Sequence, residues 1–230
     1  MNRRKVLTGI STGALLGVGG CLETDTSFLD ETSDDSGDGN SVPGCTQKET
    51  WSDGGNATPE DPDPASIAGR HDCSSTRRPE PTGEVCTTFT PVISGEERTI
   101  HSAGIEPYPE PPSSFDEETL VSYVSEYENA YFHNSMVEKY RDELRGAGIR
   151  VEEDETRIKQ TENAITLVYI RFFTSTSTLS DGTTPSVGDG AGAAGYGIDE
   201  TGIVRTEARY SVSEEEMPDP VESGTLLECF

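Results

Sequence analysis

The chain has 230 residues, of which 43 are acidic and 17 basic, and 31 % are hydrophobic. This composition supports one modest folded domain with tails. A formal charge of −26 repels nucleic acid and anionic lipid surfaces, which excludes nucleic acid as a partner. The sequence has no run of about 18 or more consecutive apolar residues, and this excludes a lasting membrane-spanning helix.

Residues 1–21 have the layout of an export signal: basic residues first, then a weakly apolar run, then small residues. The pair Arg3-Arg4 indicates the twin-arginine route. The run ends in Val18-Gly19-Gly20-Cys21, which resembles the lipobox of a lipoprotein signal. We therefore predict that Cys21 carries a lipid and anchors the protein on the outer face of the cytoplasmic membrane. The alternative is an ordinary signal peptide with an incidental cysteine.

The acidic composition also predicts the solvent in which the protein works. Four of the 17 basic residues are lysines and the rest are arginines. A chain this acidic and this poor in lysine resembles the proteins of haloarchaea, which stay soluble in molar salt through hydrated carboxylates. In about 1 M salt the Debye length falls to about 3 Å, so repulsion among the carboxylates is screened. We predict that the domain needs high salt to fold.

Residues 22–65 are predicted to form a disordered acidic tether. The segment holds 12 acidic residues against the single base Lys48, and it has too little apolar surface to offset the entropy of ordering. Asn56-Ala57-Thr58 is an acceptor triplet for N-glycosylation. Residues 66–112 are predicted to be an irregular, proline-rich strap with a candidate strand at 85–93.

Residues 113–230 are predicted to fold as an α+β domain, beginning with one long amphipathic helix. Ser114 and Glu117 have the spacing of a capping box, and Gly146 or Gly148 is expected to end the helix after about 25 to 30 residues. Apolar residues recur at spacings of three and four: Leu120, Tyr123, Val124, Tyr127, Ala130, Tyr131. This tyrosine-rich stripe either packs against a sheet or lines a ligand groove, and packing is the favoured interpretation.

After the helix the apolar period changes to two, which predicts three to five antiparallel strands. The expected strands are 149–159, taken as one strand, then a central strand at 164–173, 196–198, 204–212 and 225–230. Residues 174–195 are expected to form a mobile loop, because they are rich in Ser, Thr and Gly. One helix across a curved sheet is the layout of cystatin-like and nuclear-transport-factor-2-like (NTF2-like) cones, an analogy that does not fix function.

Five cysteines leave four for disulfides once Cys21 is lipidated: Cys45, Cys73, Cys86, Cys229. An even number in an exported protein predicts two disulfides with three connectivities. Cys86–Cys229 together with Cys45–Cys73 is the preferred pairing, because Cys86 and Cys229 lie in candidate strands. No close pair of Cys or His ligands occurs, so the sequence predicts no metal site and no cofactor.

The sequence likewise predicts no catalytic residues. His71, His101 and His133 are far apart and none stands in a nucleophile motif. The helix segment Tyr123-Val124-Ser125-Glu126-Tyr127-Glu128-Asn129-Ala130-Tyr131 resembles a family of haloarchaeal lipoproteins, exported by the twin-arginine route, with a Tyr-Val-x-x-Tyr-Glu-x-Ala-Tyr helix before antiparallel strands. That resemblance covers residues 105–230 and implies an envelope location without an activity.

Two functional hypotheses follow from these patterns. The first is a non-enzymatic, lipid-anchored envelope protein of a halophile that binds a small solute or an envelope partner; a purely structural envelope component is not distinguished from it. The alternative is an enzyme with a pocket between helix and sheet, in which His133 and tyrosines act as acid–base groups. The enzyme requires His133 to face a cavity, whereas the binding protein leaves it on the surface.

Overall fold

The computed structural model describes residues 62–82, 86–90, 92–93, 95–180 and 184–230. The export signal with Arg3, Arg4 and Cys21 lies outside these residues, as do Cys45 and Asn56 and almost all of the tether. Within the described part of the chain, no helix combines the length and the apolar character needed to cross a membrane.

The fold is α+β, as the sequence predicts, with one long helix on a strongly curled antiparallel sheet that forms a half-barrel. The helix is α2, Glu117–Tyr140. The strands are β5 Leu144–Val151, β6 Arg157–Gln160, β7 Thr166–Ser180, β8 Thr184–Asp199, β9 Gly202–Arg209 and β10 Thr225–Cys229. They are ordered β10-β9-β8-β7-β5. β5 pairs with the C-terminal part of β7, and β6 pairs with its N-terminal end, Thr166–Tyr169. Sequential antiparallel neighbours need only short connections, which suits this short chain.

The strap contains small elements rather than one strand. Helix α1 spans Ile67–Arg70, β1 Thr88–Phe89 pairs with β4 Ile100–His101, and β2 Val92–Ile93 pairs with β3 Glu96–Glu97. A second short helix, α3, spans Pro220–Ser223 and precedes β10. The segment from 102 to 116 has neither helix nor strand, in agreement with its prolines.

Both ends of the long helix differ from the prediction. The N-cap is Asp116, whose side chain accepts a hydrogen bond from the Thr119 N–H, while the Ser114 hydroxyl donates to Asp116 instead of capping the helix. These hydrogen bonds hold the pKa of Asp116 at about 2. At the other end the helix stops at Tyr140, because Arg141 adopts a left-handed φ of 45°. Gly146 and Gly148 lie in β5, so they do not end the helix.

The largest error in the predicted strands concerns residues 174–195, which form a long hairpin and not a loop. β7 and β8 pair without interruption from Thr166↔Ile198 to Ser180↔Thr184. The glycines of β8 make room for β7 side chains: a Cβ at Gly192 would lie 2.9 Å from the Phe172 ring, and one at Gly190 would lie 2.7 Å from Thr174 Oγ1. Aromatic and threonine side chains of β7 thus lie over these glycines, while β8 itself stays exposed from residue 184 to residue 191.

The other strands follow the prediction more closely. β7 begins at Thr166 and is central, with β8 on one side and both β5 and β6 on the other. The predicted strand 149–159 is two strands laid end to end along β7 and separated by a 3-10 turn, Glu153–Glu155. β9 ends at Arg209, three residues earlier than expected, and β10 lies where it was predicted.

Two apolar clusters cover the two faces of the sheet. The larger lies between α2 and the sheet and includes Tyr127, Ile170 and Tyr196. The smaller lies on the opposite face and consists of Ile67, Ile165, Leu167, Val204 and Leu226. Alternate residues of β7 and β9 enter different clusters, as the two-residue period of a strand requires. Asp199 holds α1 in place on the second face, since its Oδ2 accepts from the Ile67 N–H at 2.8 Å.

A disulfide joins Cys73 to Cys229, with a Cα–Cα distance of 5.8 Å. The preferred pairing of Cys86 with Cys229, and of Cys45 with Cys73, is therefore wrong. The reason lies in the strap, whose 3-10 turn Cys73–Ser75 packs beside β10, whereas β1 pairs with β4 at a separate place. Cys86 is disulfide-bonded as well, and its partner lies outside the described residues.

Candidate ligand groove

The space between the long helix and the sheet is filled by the protein's own side chains. Tyr123 and Tyr127 are 5 % and 0 % exposed and lie in the larger cluster. Their rings contact each other with centroids 5.7 Å apart, and Tyr127 also contacts Tyr196. The tyrosine stripe therefore packs against the sheet, which was the favoured interpretation.

His133 connects the helix to its surroundings. Its Nδ1 lies 3.0 Å from the Ala147 carbonyl oxygen and its Nε2 lies 2.9 Å from the Gly104 carbonyl oxygen. Both partners are carbonyl oxygens, which only accept, so each hydrogen bond is donated by an N–H of the ring. His133 lines neither of the two cavities described below. It is a half-buried bridge between strap, helix and β5, a position that neither functional hypothesis anticipated.

A buried ion pair fastens the helix to the sheet. Glu128 of α2 is 1 % exposed and Arg205 of β9 is 8 % exposed. Arg205 donates from Nε and Nη2 to the two carboxylate oxygens of Glu128, each at 2.8 Å, and the Tyr196 hydroxyl donates to the same carboxylate. The guanidinium of Arg205 lies over the Tyr131 ring, with its Cζ 4.2 Å from the ring centroid. Every group of this cluster has its partner, which is the condition for burying charge.

The pKa values of this cluster follow from burial and charge. Burial by itself lowers the pKa of Arg205, but the Glu128 carboxylate outweighs it and the pKa of Arg205 is raised above its ordinary value. Burial raises the pKa of Tyr196 well above its ordinary value, and the adjacent Glu128 carboxylate raises it further. Arg205 therefore stays charged and Tyr196 stays neutral near neutral pH, which keeps their hydrogen bonds to Glu128 in place.

An open groove with a volume of about 1330 Å³ lies beside the helix. Its walls are the N-terminal half of α2, the strap segment 106–109 and the end of β5. The apolar part of the lining is Pro107, Tyr108, Pro109, Val121, Ile149 and Val151. The charged part is Glu106, Glu117, Glu118, Glu126, Glu153 and Arg150. The groove thus has an apolar floor and carries five carboxylates against one guanidinium. We call it the acidic groove.

Buried polar contacts hold the strap wall of the acidic groove against the helix. Asn134 is fully buried and both accepts from the Glu106 N–H and donates to the Glu106 carbonyl, each at 2.9 Å. The Tyr108 ring packs on Tyr127 with centroids 4.8 Å apart, and its hydroxyl donates to the Pro79 carbonyl at 2.9 Å. Because both contacts are buried or half-buried, this wall is preformed in the absence of a ligand.

A smaller cavity of about 360 Å³ lies beside the buried ion pair. It is lined by Tyr131, Arg205, Glu207, Pro218 and neighbouring hydroxyl-bearing residues. The Nη1 of Arg205 is 3.7 Å from Glu207 Oε2, so two carboxylates already balance the single guanidinium. This cavity therefore has no excess charge with which to attract an anion.

The described residues contain no group of three or more His, Cys, Asp or Glu side chains placed to hold a metal ion. Comparison with models of protein families, with curated proteins and with solved structures finds no match to this chain. The acidic groove is therefore judged by its own residues.

Sequence reasoning missed both the acidic groove and the buried ion pair. The acidic groove is built from three separate segments, residues 106–109, 117–129 and 149–153, so no single motif marks it. The ion pair did leave a signal: Glu128 follows Val124 by one helical turn on the apolar stripe, and Arg205 interrupts the apolar run of β9. A charged residue at a position that the apolar pattern marks as buried predicts an oppositely charged side chain beside it.

Proposed function

We propose that the protein is a non-enzymatic, lipid-anchored envelope protein that binds a positively charged partner or solute in the acidic groove. The observation that carries the proposal is the contrast between a helix–sheet interior filled by its own side chains and an open, preformed groove lined by five glutamates. Carboxylates around an apolar floor favour a ligand with cationic groups and apolar side chains.

The location is proposed from the sequence. Arg3-Arg4 and the lipobox ending at Cys21 support export and lipid attachment. Cell fractionation tests this part: the full chain should sediment with membranes, and the Cys21→Ser variant should be released. A Cys21→Ser variant that stays in the membrane fraction as fully as the wild type would contradict the lipid anchor.

Binding is tested with a short, capped peptide of alternating lysine and valine and the detergent-solubilised, lipid-modified full chain. The variant Glu118→Gln/Glu126→Gln removes two carboxylates from the acidic groove. We expect it to bind about five- to tenfold more weakly, since each exposed ion pair contributes up to about 1 kcal/mol.

The matched control is Glu162→Gln/Glu215→Gln, which removes two exposed carboxylates that do not line the acidic groove. It should retain the wild-type affinity. Equal losses in both double variants would mean that the peptide responds to overall charge, and an absence of binding to the wild type would refute the proposal.

A further inference from the structure

The outer edge of β5 is covered along most of its length. Within the described residues no strand pairs with this edge of the sheet. Instead the Leu144 carbonyl accepts from the Ala103 N–H at 2.8 Å, the Ala147 carbonyl faces His133, and the Ile149 N–H donates to Asn129 Oδ1 at 3.1 Å. Strap and helix thus occupy the edge up to the Ile149 amide, which prevents pairing with another chain there.

The final part of the β5 edge turns into the acidic groove. Backbone groups of an antiparallel strand alternate between its two sides, and the Ala147 carbonyl and the Ile149 N–H mark the outward-facing residues. Glu152 faces the other way, since its N–H donates to the Arg171 carbonyl of β7 at 2.8 Å. Alternation therefore directs the Ile149 carbonyl and both backbone groups of Val151 outward, in the wall of the acidic groove that these two residues line.

We infer that the acidic groove takes its ligand by strand addition: an extended, basic segment of a partner protein pairs with β5 at Ile149–Val151. This inference rests on the proposed function and specifies its ligand. Backbone hydrogen bonds to the edge fix the segment in the extended conformation, and its side chains alternate between the apolar floor and the rim. The apolar floor receives valine- or isoleucine-sized side chains, while the glutamates of the rim pair with lysine or arginine.

The charge of the acidic groove favours a basic segment of another protein over the chain's own acidic segment and over a second copy of the chain. The five glutamates of the acidic groove repel the chain's own segment 22–65, which holds 12 acidic residues. They repel the acidic surface of a second copy for the same reason. A basic segment neutralises the carboxylates and satisfies the outward backbone groups together.

The test compares two peptides of equal charge on the full chain, which is lipid-modified and kept in detergent. The first is the capped lysine–valine peptide, and the second is the same peptide N-methylated at alternate residues, which blocks its strand pairing. We expect N-methylation to weaken binding at least about tenfold. Amide hydrogen exchange at Val151 should slow when the first peptide is bound, while exchange at Ile203, which lies in the paired strand β9, should not change.

The outcomes separate the inference from the function on which it rests. Equal affinity for the two peptides, with unchanged exchange at Val151, would overturn strand addition and leave a groove that binds by charge alone. Failure of the wild type to bind either peptide would overturn both. A capped glutamate–valine peptide is the control for charge, and binding of that peptide as tight as that of the basic one would overturn the assignment of a basic segment.

Discussion

The buried ion pair between Glu128 and Arg205 gives the sharpest test of how the helix is held on the sheet. Replacing Glu128 with leucine removes the acceptor of both guanidinium hydrogen bonds and of the Tyr196 hydroxyl. Arg205 is 8 % exposed, and the carboxylate that stays near it is that of the exposed Glu207, whose Oε2 lies 3.7 Å from Nη1. Leaving one partner of a buried pair uncompensated costs about 3 to 5 kcal/mol. We therefore expect Glu128→Leu to lower the free energy of unfolding by about that amount.

The assay is urea unfolding in molar salt, with the free energy taken from the midpoint and slope of each curve. Glu126→Leu is the matched control, since Glu126 is an exposed glutamate on the same helix, and its effect should stay within about 0.5 kcal/mol. The double variant Glu128→Leu/Arg205→Met should recover most of the lost stability, because it removes both charges. A loss below about 1 kcal/mol in Glu128→Leu, or a double variant no more stable than the single one, would refute this reasoning.

Three further predictions concern the disulfides, the glycines and the salt dependence. Non-reducing peptide mapping should find Cys45 linked to Cys86, since Cys86 is disulfide-bonded; a reduced Cys45 would contradict this pairing. Gly192→Val should destabilise the fold by about 1 to 3 kcal/mol through overpacking, whereas Gly146→Val, where a Cβ meets no atom within 4 Å, should be nearly neutral in a thermal melt. Circular dichroism should show cooperative structure in molar KCl and its loss at low salt, and an identical melting temperature across the range would contradict the predicted salt requirement.

The elements that sequence reasoning predicted are those with a strong apolar period. The stripe from Leu120 to Tyr131 gave the helix, and the run around Val168 and Ile170 gave the central strand, because burial of those side chains is what stabilises both elements. Sequence reasoning did not predict strand β8, because its glycines carry no side chains that could form an apolar period. Gly192 and Gly195 admit the rings of Phe172 and Tyr169, and a single-sequence period cannot register side chains supplied by the facing strand.

The site escaped prediction for a different reason. The acidic groove depends on where the strap crosses the helix, and that crossing is fixed by Asn134 and by the aromatic contact between Tyr108 and Tyr127. None of these residues is chemically unusual, and each has an ordinary structural use. The five glutamates of the lining could not stand out in a chain with 43 acidic residues. Only their arrangement around an apolar floor distinguishes them from a solvated surface.

The predicted salt environment favours backbone pairing as a part of the proposed binding. At about 1 M salt the Debye length is about 3 Å, so carboxylates attract a basic segment only in direct contact and contribute little at longer range. An acidic groove that relied on charge alone would then bind weakly and without a fixed register. Hydrogen bonds to the Ile149 carbonyl and the Val151 backbone are formed at contact and depend far less on ionic strength. Binding of the lysine–valine peptide should therefore weaken as salt is added and level off at a residual affinity. N-methylation of the peptide should abolish this residual affinity.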